Sequence, residues 1–303
     1  MRADICGVRL KNPVIAASGT FGFGEEYGEY ADLGKLGGIS VKGLTLKPRR
    51  GNPPPRLAET PAGLLNSVGL QNPGVEAFVL RELPRLLKFE GLAVIANAAG
   101  STMEDYREMV RILSETRVHA IELNVSCPNV KEGGISFGAS ERSLSEIIAF
   151  VRPHCKKPLI VKLTPNVGAG DVGVLARAAE REGADAVSLI NTLLGMKIDI
   201  YAKRPVLRNN TGGLSGPAVM PVAVRMAWEA AASVKIPVIG MGGISSGADA
   251  VEFLLAGASA VMVGTASFAD PAACLSVAAG IEEYLGACGH GSVGEIVGAL
   301  RPW

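Results

Sequence analysis

The first candidate for chemistry is a cysteine at the end of a short alternating segment. Residues 118–125 alternate between apolar and polar side chains, as in a β-strand with two different faces, and the polar face carries Glu122 and Asn124. Pro128 cannot donate a ladder hydrogen bond, so we expect the strand to stop just before Cys127. The sequence therefore predicts a thiol at the carboxyl end of a strand, close to an amide side chain.

A thiol in that place could act as a base, because its unperturbed pKa of ~8.5 is not far from neutrality. The glycines that follow, at Gly133, Gly134 and Gly138, predict a loop that can close over a ligand. The alternative for Cys127 is a small buried hydrophobic side chain, which is a common role of free cysteines. The rest of the chain has to decide between these two roles.

The elements that would position this thiol are eight short, mostly apolar strands separated by helical patterns. Continuous apolar strands are typical of a parallel sheet covered on both faces, so the pattern favours an α/β fold, a closed (β/α)8 TIM barrel. The alternative is an open doubly wound sheet, but no complete Gly-x-Gly-x-x-Gly motif supports it, since Ser245 occupies the third glycine position. The predicted strands are residues 13–17, 38–41, 92–97, 118–125, 158–163, 185–190, 237–241 and 258–263.

Other segments are predicted around this barrel. Residues 2–10 form a small N-terminal hairpin that could plug one end of the core, and residues 25–36 read as a weak helix. A helix from residue 74 to 87 should kink at Pro84. The long segments between predicted elements, above all 195–216, are expected to be inserted loops at the carboxyl-terminal face of the barrel.

Composition limits the classes of protein. The 303 residues, 48% of them hydrophobic, suit one barrel domain over residues 1–303. A net charge of +1 and 5% aromatic residues argue against nucleic acid and an anionic membrane surface as partners. No apolar run reaches ~18 residues, so neither a membrane span nor a signal peptide is predicted. The five cysteines lack a CxxC pair, which argues against a metal site and indicates a reducing, cytoplasmic location.

Polar residues and glycines recur at the predicted carboxyl ends of the strands, where a barrel of this kind has its active site. Each has a structural alternative: Lys42 or Lys162 could be a solvated strand end, and Asn97 could shape a turn. Lys162 could also form a Schiff base in a sugar-phosphate lyase or isomerase. The recurring residues are Ser18, Lys42, Asn97, Asn124, Cys127, Lys162, Asn191, Thr192, Gly242, Gly243, Gly264 and Thr265.

The glycine loops after the last two strands predict a phosphate cradle, because backbone N–H groups beside a helix start bind anions. The alternative role of these glycines is to form tight turns without binding a ligand. A phosphorylated ligand held there would extend towards Lys162, Lys42 and Asn97. Flavin mononucleotide (FMN) has that shape, and a lysine would stabilise the negative charge of its reduced ring.

The motifs in these loops resemble those of the class 1 dihydroorotate dehydrogenases. The resemblance covers nearly the whole chain and is closest to the class 1B catalytic subunit, the NAD-linked form, in residues 18–24, 66–74 and 211–216. The matching motifs are Ser40-Val41-Lys42-Gly43, Asn66-Ser67-Val68-Gly69-Leu70, Asn124-Val125-Ser126-Cys127-Pro128-Asn129, Asn191-Thr192 and Gly240-Met241-Gly242-Gly243-Ile244.

The resemblance implies a role for each matching residue. Cys127 would be the catalytic base that removes a proton from C5 of dihydroorotate, while the C6 hydrogen leaves as hydride to the flavin. The implied substrate-binding residues are Lys42, Asn66, Ser67, Val68, Gly69, Leu70, Asn124, Asn191 and Thr192. The implied FMN-binding residues are Ser18, Lys42, Gly43, Asn97, Asn124, Lys162, Ile190, Gly216, Gly242, Gly243, Gly264 and Thr265.

The resemblance also implies a partner. An NAD-linked enzyme of this family has a second subunit, with FAD and a [2Fe-2S] cluster, that carries electrons to NAD, in a heterotetramer of two catalytic and two electron-transfer subunits. The activity implied is the oxidation of dihydroorotate to orotate in pyrimidine biosynthesis. The alternative within the family is class 1A, a homodimer that passes electrons to fumarate.

Overall fold

The computed structural model of the chain describes residues 1–125 and 137–303. Within these residues, eight parallel strands close into a barrel, in which each strand pairs with its neighbours in the chain and the last pairs with the first. The closed (β/α)8 barrel predicted from the sequence is thereby confirmed. The barrel strands are β1 (Val14–Ala16), β2 (Gly38–Ser40), β3 (Ala93–Ala98), β4 (Ala120–Asn124), β5 (Leu159–Lys162), β6 (Ala186–Leu189), β7 (Val238–Met241) and β8 (Ala260–Val263).

Helices cover the outside of the barrel and bury the outward-facing side chains of the strands, such as Leu123 and Val161. Their starts follow capping rules: Thr102 accepts a hydrogen bond from the Asp105 N–H at 3.1 Å, and the Asp105 carboxylate accepts one from the Thr102 N–H. The α-helices are Val75–Ala77, Leu83–Leu86, Met103–Ser114, Glu141–Val151, Asp171–Arg181, Met220–Ala231, Gly247–Leu255, Ala266–Ala269 and Ala273–Cys288. Short 3-10 helices are Leu33–Lys35, Arg152–His154, Pro217–Val219 and Val293–Glu295.

The amino-terminal hairpin closes the lower end of the barrel. Strands Ala3–Ile5 and Val8–Leu10 pair antiparallel, as the sequence predicts. Ile5 and Leu10 are 1% and 2% exposed, and they join the apolar cluster that fills the barrel interior. In the described part of the chain, apolar side chains fill the lower half of the barrel interior, and the space for a ligand lies at the carboxyl end.

A second sheet lies over that carboxyl end. Two segments that the sequence predicted as inserted loops form it together. Each segment contributes two strands that pair with each other, and Gly63–Asn66 joins the segments by pairing with Gly212–Ser215 across a large sequence separation. The expectation of irregular insertions is therefore corrected to an antiparallel sheet. Its strands are Leu57–Thr60, Gly63–Asn66, Leu193–Gly195 and Gly212–Ser215, and a smaller ribbon pairs Ile198–Asp199 with Arg204–Pro205.

Two helical predictions have different outcomes. The weak helix over residues 25–36 is wrong: the segment consists of turns followed by the 3-10 helix Leu33–Lys35, where the Asp32 side chain accepts from the Gly34 N–H at 2.9 Å. The helix ahead of Pro84 does deviate, since a π-helical stretch, Phe78–Glu82, accommodates the missing proline N–H. Among the described residues, no helix is both long and apolar enough to cross a bilayer.

Candidate active site

A cavity opens at the carboxyl ends of the barrel strands and under the second sheet. Its walls come from most of the segments that the sequence singled out, together with apolar side chains from the sheet. The lining residues are Ala17, Ser18, Gly19, Thr20, Lys42, Gly43, Leu57, Leu64, Asn66, Val68, Gly69, Leu70, Asn97, Asn124, Lys162, Ile190, Asn191, Thr192, Leu214, Ser215, Gly216, Val219, Met241, Gly242, Gly243, Met262, Gly264, Thr265 and Phe268.

The floor of the cavity is polar because strand register brings polar inward positions side by side. Asn124 of β4 pairs with Lys162 of β5, and Lys162 pairs with Ser188 of β6. On the other side, Asn97 of β3 pairs with Glu122 of β4. Since alternate residues of a strand face inward, one strand contributes both Glu122 and Asn124 to the interior, one above the other.

Hydrogen bonds join these side chains into one network. The Asn124 Nδ2 donates to Asn97 Oδ1 at 3.1 Å, and the Asn97 Nδ2 donates to Glu122 Oε2 at 2.5 Å. The Lys162 ammonium donates to the Ser18 hydroxyl oxygen at 3.2 Å, and Lys162 is 5% exposed. A buried ammonium beside an open cavity is costly unless acceptors or negative charge meet it. The alternative that Lys162 is merely a solvated strand end is therefore not supported.

Lys42 follows β2 on the opposite side of the cavity floor. Its backbone N–H donates to the Gly22 carbonyl at 3.0 Å, which ties it to the glycine loop after β1. In that loop, Tyr27 stacks on Phe21, with ring centroids 3.8 Å apart, and its hydroxyl donates to the Thr20 carbonyl at 2.7 Å. Burial, with the nearby Glu26 charge, raises the pKa of Tyr27 and so favours the protonated hydroxyl that makes this hydrogen bond.

The upper wall is the loop that follows strand Gly63–Asn66. Its backbone turns through Gly69 and Leu70, which have φ angles of 75° and 56°, and the Leu70 value is unusual for a branched side chain. Asn72 holds the turn: its Nδ2 donates to the Leu70 carbonyl at 2.7 Å and to Thr45 Oγ1 at 2.8 Å. Asn66 at the start of the loop donates from Nδ2 to the Gly213 carbonyl at 3.3 Å.

The loops after β7 and β8 supply close backbone approach. Gly243 has a φ of 84°, and a Cβ placed there would lie 2.6 Å from the Cβ of Met220, so the loop packs directly on a helix start. Thr265, after β8, donates from its hydroxyl to Ser215 Oγ at 2.8 Å. Backbone N–H groups in such loops can bind a phosphate, and a Cβ placed at Gly264 would lie 3.5 Å from the Cβ of Ala17.

The cavity brings together nearly all of the residues that the sequence proposed. Ser67 is the exception: it is fully buried away from the walls, and its backbone holds the loop by accepting from Asn52 Nδ2 at 2.8 Å. Its position gives the predicted substrate contact no support. Cys127, the proposed base, lies outside the described residues. Around the described part of the chain, no group of three or more His, Cys, Asp or Glu side chains could hold a metal ion.

Sequence reasoning missed the apolar half of the cavity. Leu57 and Leu64 reach it from the second sheet, and Phe268 reaches it from the helix Ala266–Ala269. Both leucines lie on one local hairpin, but only its second strand is joined to Gly212–Ser215, and that long-range pairing leaves no local pattern in the sequence. Glu122 was visible as a polar residue on the inner face of its strand, but its hydrogen bonds to three other strands were not.

Together the closed barrel and the polar pocket at its carboxyl end define a (β/α)8 barrel enzyme. The family model for dihydroorotate dehydrogenase matches residues 1–285, and the chain belongs to this family. A solved relative, the crystal structure of DHODH in complex with ferulenol from Eimeria tenella, superposes with a TM-score of 0.82 at 23% identity, covering 98% of this chain and 88% of that one, which supports the fold.

Much more similar relatives are named dihydroorotate dehydrogenase B (NAD(+)), catalytic subunit. The chain is 55% identical over 301 residues to the protein of that name from Thermoanaerobacter sp. (strain X514), with 99% of both chains covered. It is 54% identical to the one from Bacteroides thetaiotaomicron, again covering 99% of each, and 51% identical to the one from Geotalea daltonii, covering 99% and 98%.

Proposed function

We propose that this chain is the catalytic subunit of an NAD-linked dihydroorotate dehydrogenase and oxidises dihydroorotate to orotate in pyrimidine biosynthesis. The single observation that carries the proposal is the polar floor of the cavity, where Lys162, Asn97 and Asn124 meet under one open space. Family membership and the full-length relatives named as B-type catalytic subunits support the same activity.

The cavity fits FMN. The glycine loops at Gly242–Gly243 and Gly264 offer backbone N–H groups for its phosphate, and the buried Lys162 offers a positive charge on the cavity floor. When bound, FMN supplies the acceptor for the hydride of the substrate. The residues proposed to hold it are Ser18, Lys42, Gly43, Asn97, Asn124, Lys162, Ile190, Gly216, Gly242, Gly243, Gly264 and Thr265.

The substrate has a carboxylate and paired ring amides, and the cavity offers matching groups. Lys42 supplies a cation for the carboxylate, while asparagine side chains both donate and accept and so suit a cyclic imide. Asn66 pairs with Gly213 in the second sheet, and Asn191 lies just before the sheet strand Leu193–Gly195, where its Oδ1 accepts from the Thr192 N–H at 2.8 Å. The backbone turn at Gly69 adds main-chain groups beside them.

Cys127 is proposed as the base that takes the proton from C5 of the substrate. Its position in the sequence, three residues after Asn124, supports this role, because Asn124 lies on the cavity floor at the carboxyl end of β4. A thiol base near neutral pH contributes ~10²-fold or more to such a step. The loop that the sequence predicts from Gly133, Gly134 and Gly138 is proposed to exclude water from the reaction.

A second subunit is proposed to pass electrons to NAD. The name of the relatives, catalytic subunit, implies a further subunit in those proteins. We propose that it carries FAD and a [2Fe-2S] cluster and that two copies of each subunit form a heterotetramer. An exposed apolar arm supports assembly, since large apolar patches on a protein surface mark interaction sites. The arm, as defined here, consists of Leu194, Met196, Ile198, Ile200 and Tyr201.

Anaerobic titration of the FMN-loaded chain with dihydroorotate tests the proposal. We expect loss of the flavin absorbance near ~450 nm, the flavin band, in the wild type. Cys127→Ala should keep FMN bound and slow this reduction by ~10²-fold or more. A colourless protein in which borohydride reduces a Schiff base between Lys162 and a sugar phosphate would indicate a lyase or isomerase instead. Rapid fumarate reduction by the chain alone would replace the NAD-linked proposal with the fumarate-linked one.

A further inference from the structure

The barrel interior holds a buried carboxylate that the proposed reaction does not use. Glu122 is 0% exposed, and its two oxygens accept hydrogen bonds from three strands. Its Oε1 accepts from the Ser188 hydroxyl at 2.6 Å. Its Oε2 accepts from the Ser40 hydroxyl at 2.8 Å and from Asn97 Nδ2 at 2.5 Å. A buried carboxylate is expensive compared with an apolar side chain of the same size, so its contacts should have a consequence.

The consequence follows from hydrogen-bond polarity. An ionised carboxylate only accepts, whereas an asparagine amide has one accepting and one donating end. Glu122 therefore requires Asn97 to turn its Nδ2 downwards, and the Asn97 Oδ1 is then left to accept from Asn124 Nδ2. Because both asparagines line the cavity, the carboxylate below them decides which of their atoms are committed to each other.

We propose that Glu122 is a positioning residue that fixes the orientation of the Asn97 and Asn124 amides, and thereby the donors and acceptors that the cavity floor presents to flavin and pyrimidine. The inference rests on the proposed function, because those ligands come from it. Glu122 does not itself line the cavity; it acts through Asn97. The two serine hydroxyls can rotate to donate or accept, so of these three described contacts it is the one with Asn97 that transmits a direction.

The decisive variant is Glu122→Gln, which keeps the size of the side chain but can donate from its amide to Asn97 Oδ1. Both asparagines are then free to turn over. The matched control is Ser188→Ala, which removes a hydrogen bond to the same carboxylate and leaves the contact with Asn97 in place. Orotate binding to FMN-loaded protein is measured by calorimetry, FMN release by fluorescence, and folding by thermal unfolding.

We expect Glu122→Gln to weaken orotate binding at least ~10-fold, the scale of one lost hydrogen bond of this kind. Ser188→Ala should bind orotate with an affinity within about two-fold of wild type, even if it lowers the melting temperature more than Glu122→Gln does. If the affinity were lost through general destabilisation, the loss would instead follow the melting temperature. A Glu122→Gln protein that binds orotate like wild type, or a Ser188→Ala protein that loses as much affinity, overturns the proposal.

A double variant tests the direction of the network itself. In Glu122→Gln with Asn97→Asp, the glutamine donates to the new carboxylate, whose other oxygen can again accept from Asn124. Orotate binding should be tighter in the double variant than in Asn97→Asp alone, where two carboxylates face each other; the reverse order overturns the proposal even if Glu122→Gln alone does not fold. A wild-type chain that does not bind orotate would instead refute the proposed function.

Discussion

Two lysines, Lys162 and Lys156, have different surroundings, and this difference makes the role of Lys162 testable. Lys162 is buried at the cavity floor and donates to Ser18, whereas Lys156 is an exposed partner of Glu115 at 2.6 Å. We expect Lys162→Ala to weaken FMN binding at least ~10-fold, because a charge-assisted contact is lost in a buried place. Lys156→Ala should bind FMN like wild type, since exposed ion pairs contribute little. Fluorescence titration with FMN measures both, and equal affinities would show Lys162 to be a bystander.

The cysteines of the described residues differ in reactivity for a physical reason. Burial, with the charges of Asp185 and Asp4, raises the pKa of Cys6 to about 12, and burial raises that of Cys274 to about 11. Only the thiolate reacts with an alkylating agent, so a raised pKa lowers reactivity at any pH below it. The stability associated with the neutral thiols is present below the ordinary pKa and is lost as the pH rises through the shifted values.

Iodoacetamide at pH 8.5, followed by peptide mass spectrometry, should therefore label exposed Cys288 well before Cys6 or Cys274. Peptide mapping reports each cysteine separately, so labelling of Cys127 does not confuse the comparison. Equal labelling of Cys6 and Cys288 would contradict the assigned environments.

Among the larger elements, the second sheet connects parts of the cavity that are far apart in sequence. A Cβ at Gly213 would lie 2.0 Å from Thr192 Oγ1, so the strand Gly212–Ser215 can pass Thr192 only without a side chain. Asn166 fixes the other side of this contact, with its Nδ2 donating to the Thr192 carbonyl at 3.1 Å. The position of Thr192 thus depends on a strand twenty residues away, which the sheet holds in register.

Gly213→Ala should displace Thr192 and raise the KM for dihydroorotate at least ~10-fold, the effect of about 1.4 kcal/mol of lost binding. The control is Gly286→Ala, in the helix Ala273–Cys288, where an added Cβ meets nothing within 4 Å. That change should leave the KM unaltered and stabilise the fold by roughly 0.5–1 kcal/mol. Steady-state kinetics and urea unfolding measure the two effects, and an unchanged KM in Gly213→Ala would argue that Thr192 does not contact substrate.

At the scale of the whole molecule, the apolar arm is a group of large apolar side chains exposed to solvent. Ile200 and Tyr201 are 72% and 91% exposed on the turn between the two short ribbon strands. Isolated apolar residues are normal on a surface, but a contiguous group is typical of an interface. We therefore propose that the arm forms part of a subunit interface in the proposed heterotetramer.

If the arm contributes to assembly, Ile200→Asp with Tyr201→Asp should lower the mass of the complex with its partner subunit in analytical ultracentrifugation. Leu80→Asp, at a position 68% exposed on the π-helical stretch, should leave that mass unchanged. The melting temperature of the isolated chain should change little in both variants, because neither site is part of the core. A full-size complex from the double variant would exclude the arm from the interface.

The sequence alone was sufficient for the barrel and for most of the cavity. Eight apolar segments mark strands covered on both faces, and polar residues at their carboxyl ends mark the open end, because both signals are local. The alternation within residues 118–125 already assigned Glu122 and Asn124 to one face, and the barrel interior confirms it.

Contacts between distant segments decided the rest. The second sheet pairs Gly213 with Asn66. Glu122 accepts hydrogen bonds from the hydroxyls of Ser40 and Ser188, which are 82 and 66 residues away in the sequence. No local sequence pattern encodes such pairs, because a hydrogen bond between strands of a closed barrel depends on the strand register around the whole barrel. The weak helix expected over residues 25–36 failed for a related reason: the segment is held by Tyr27 stacking and capping contacts, which helix propensity does not include.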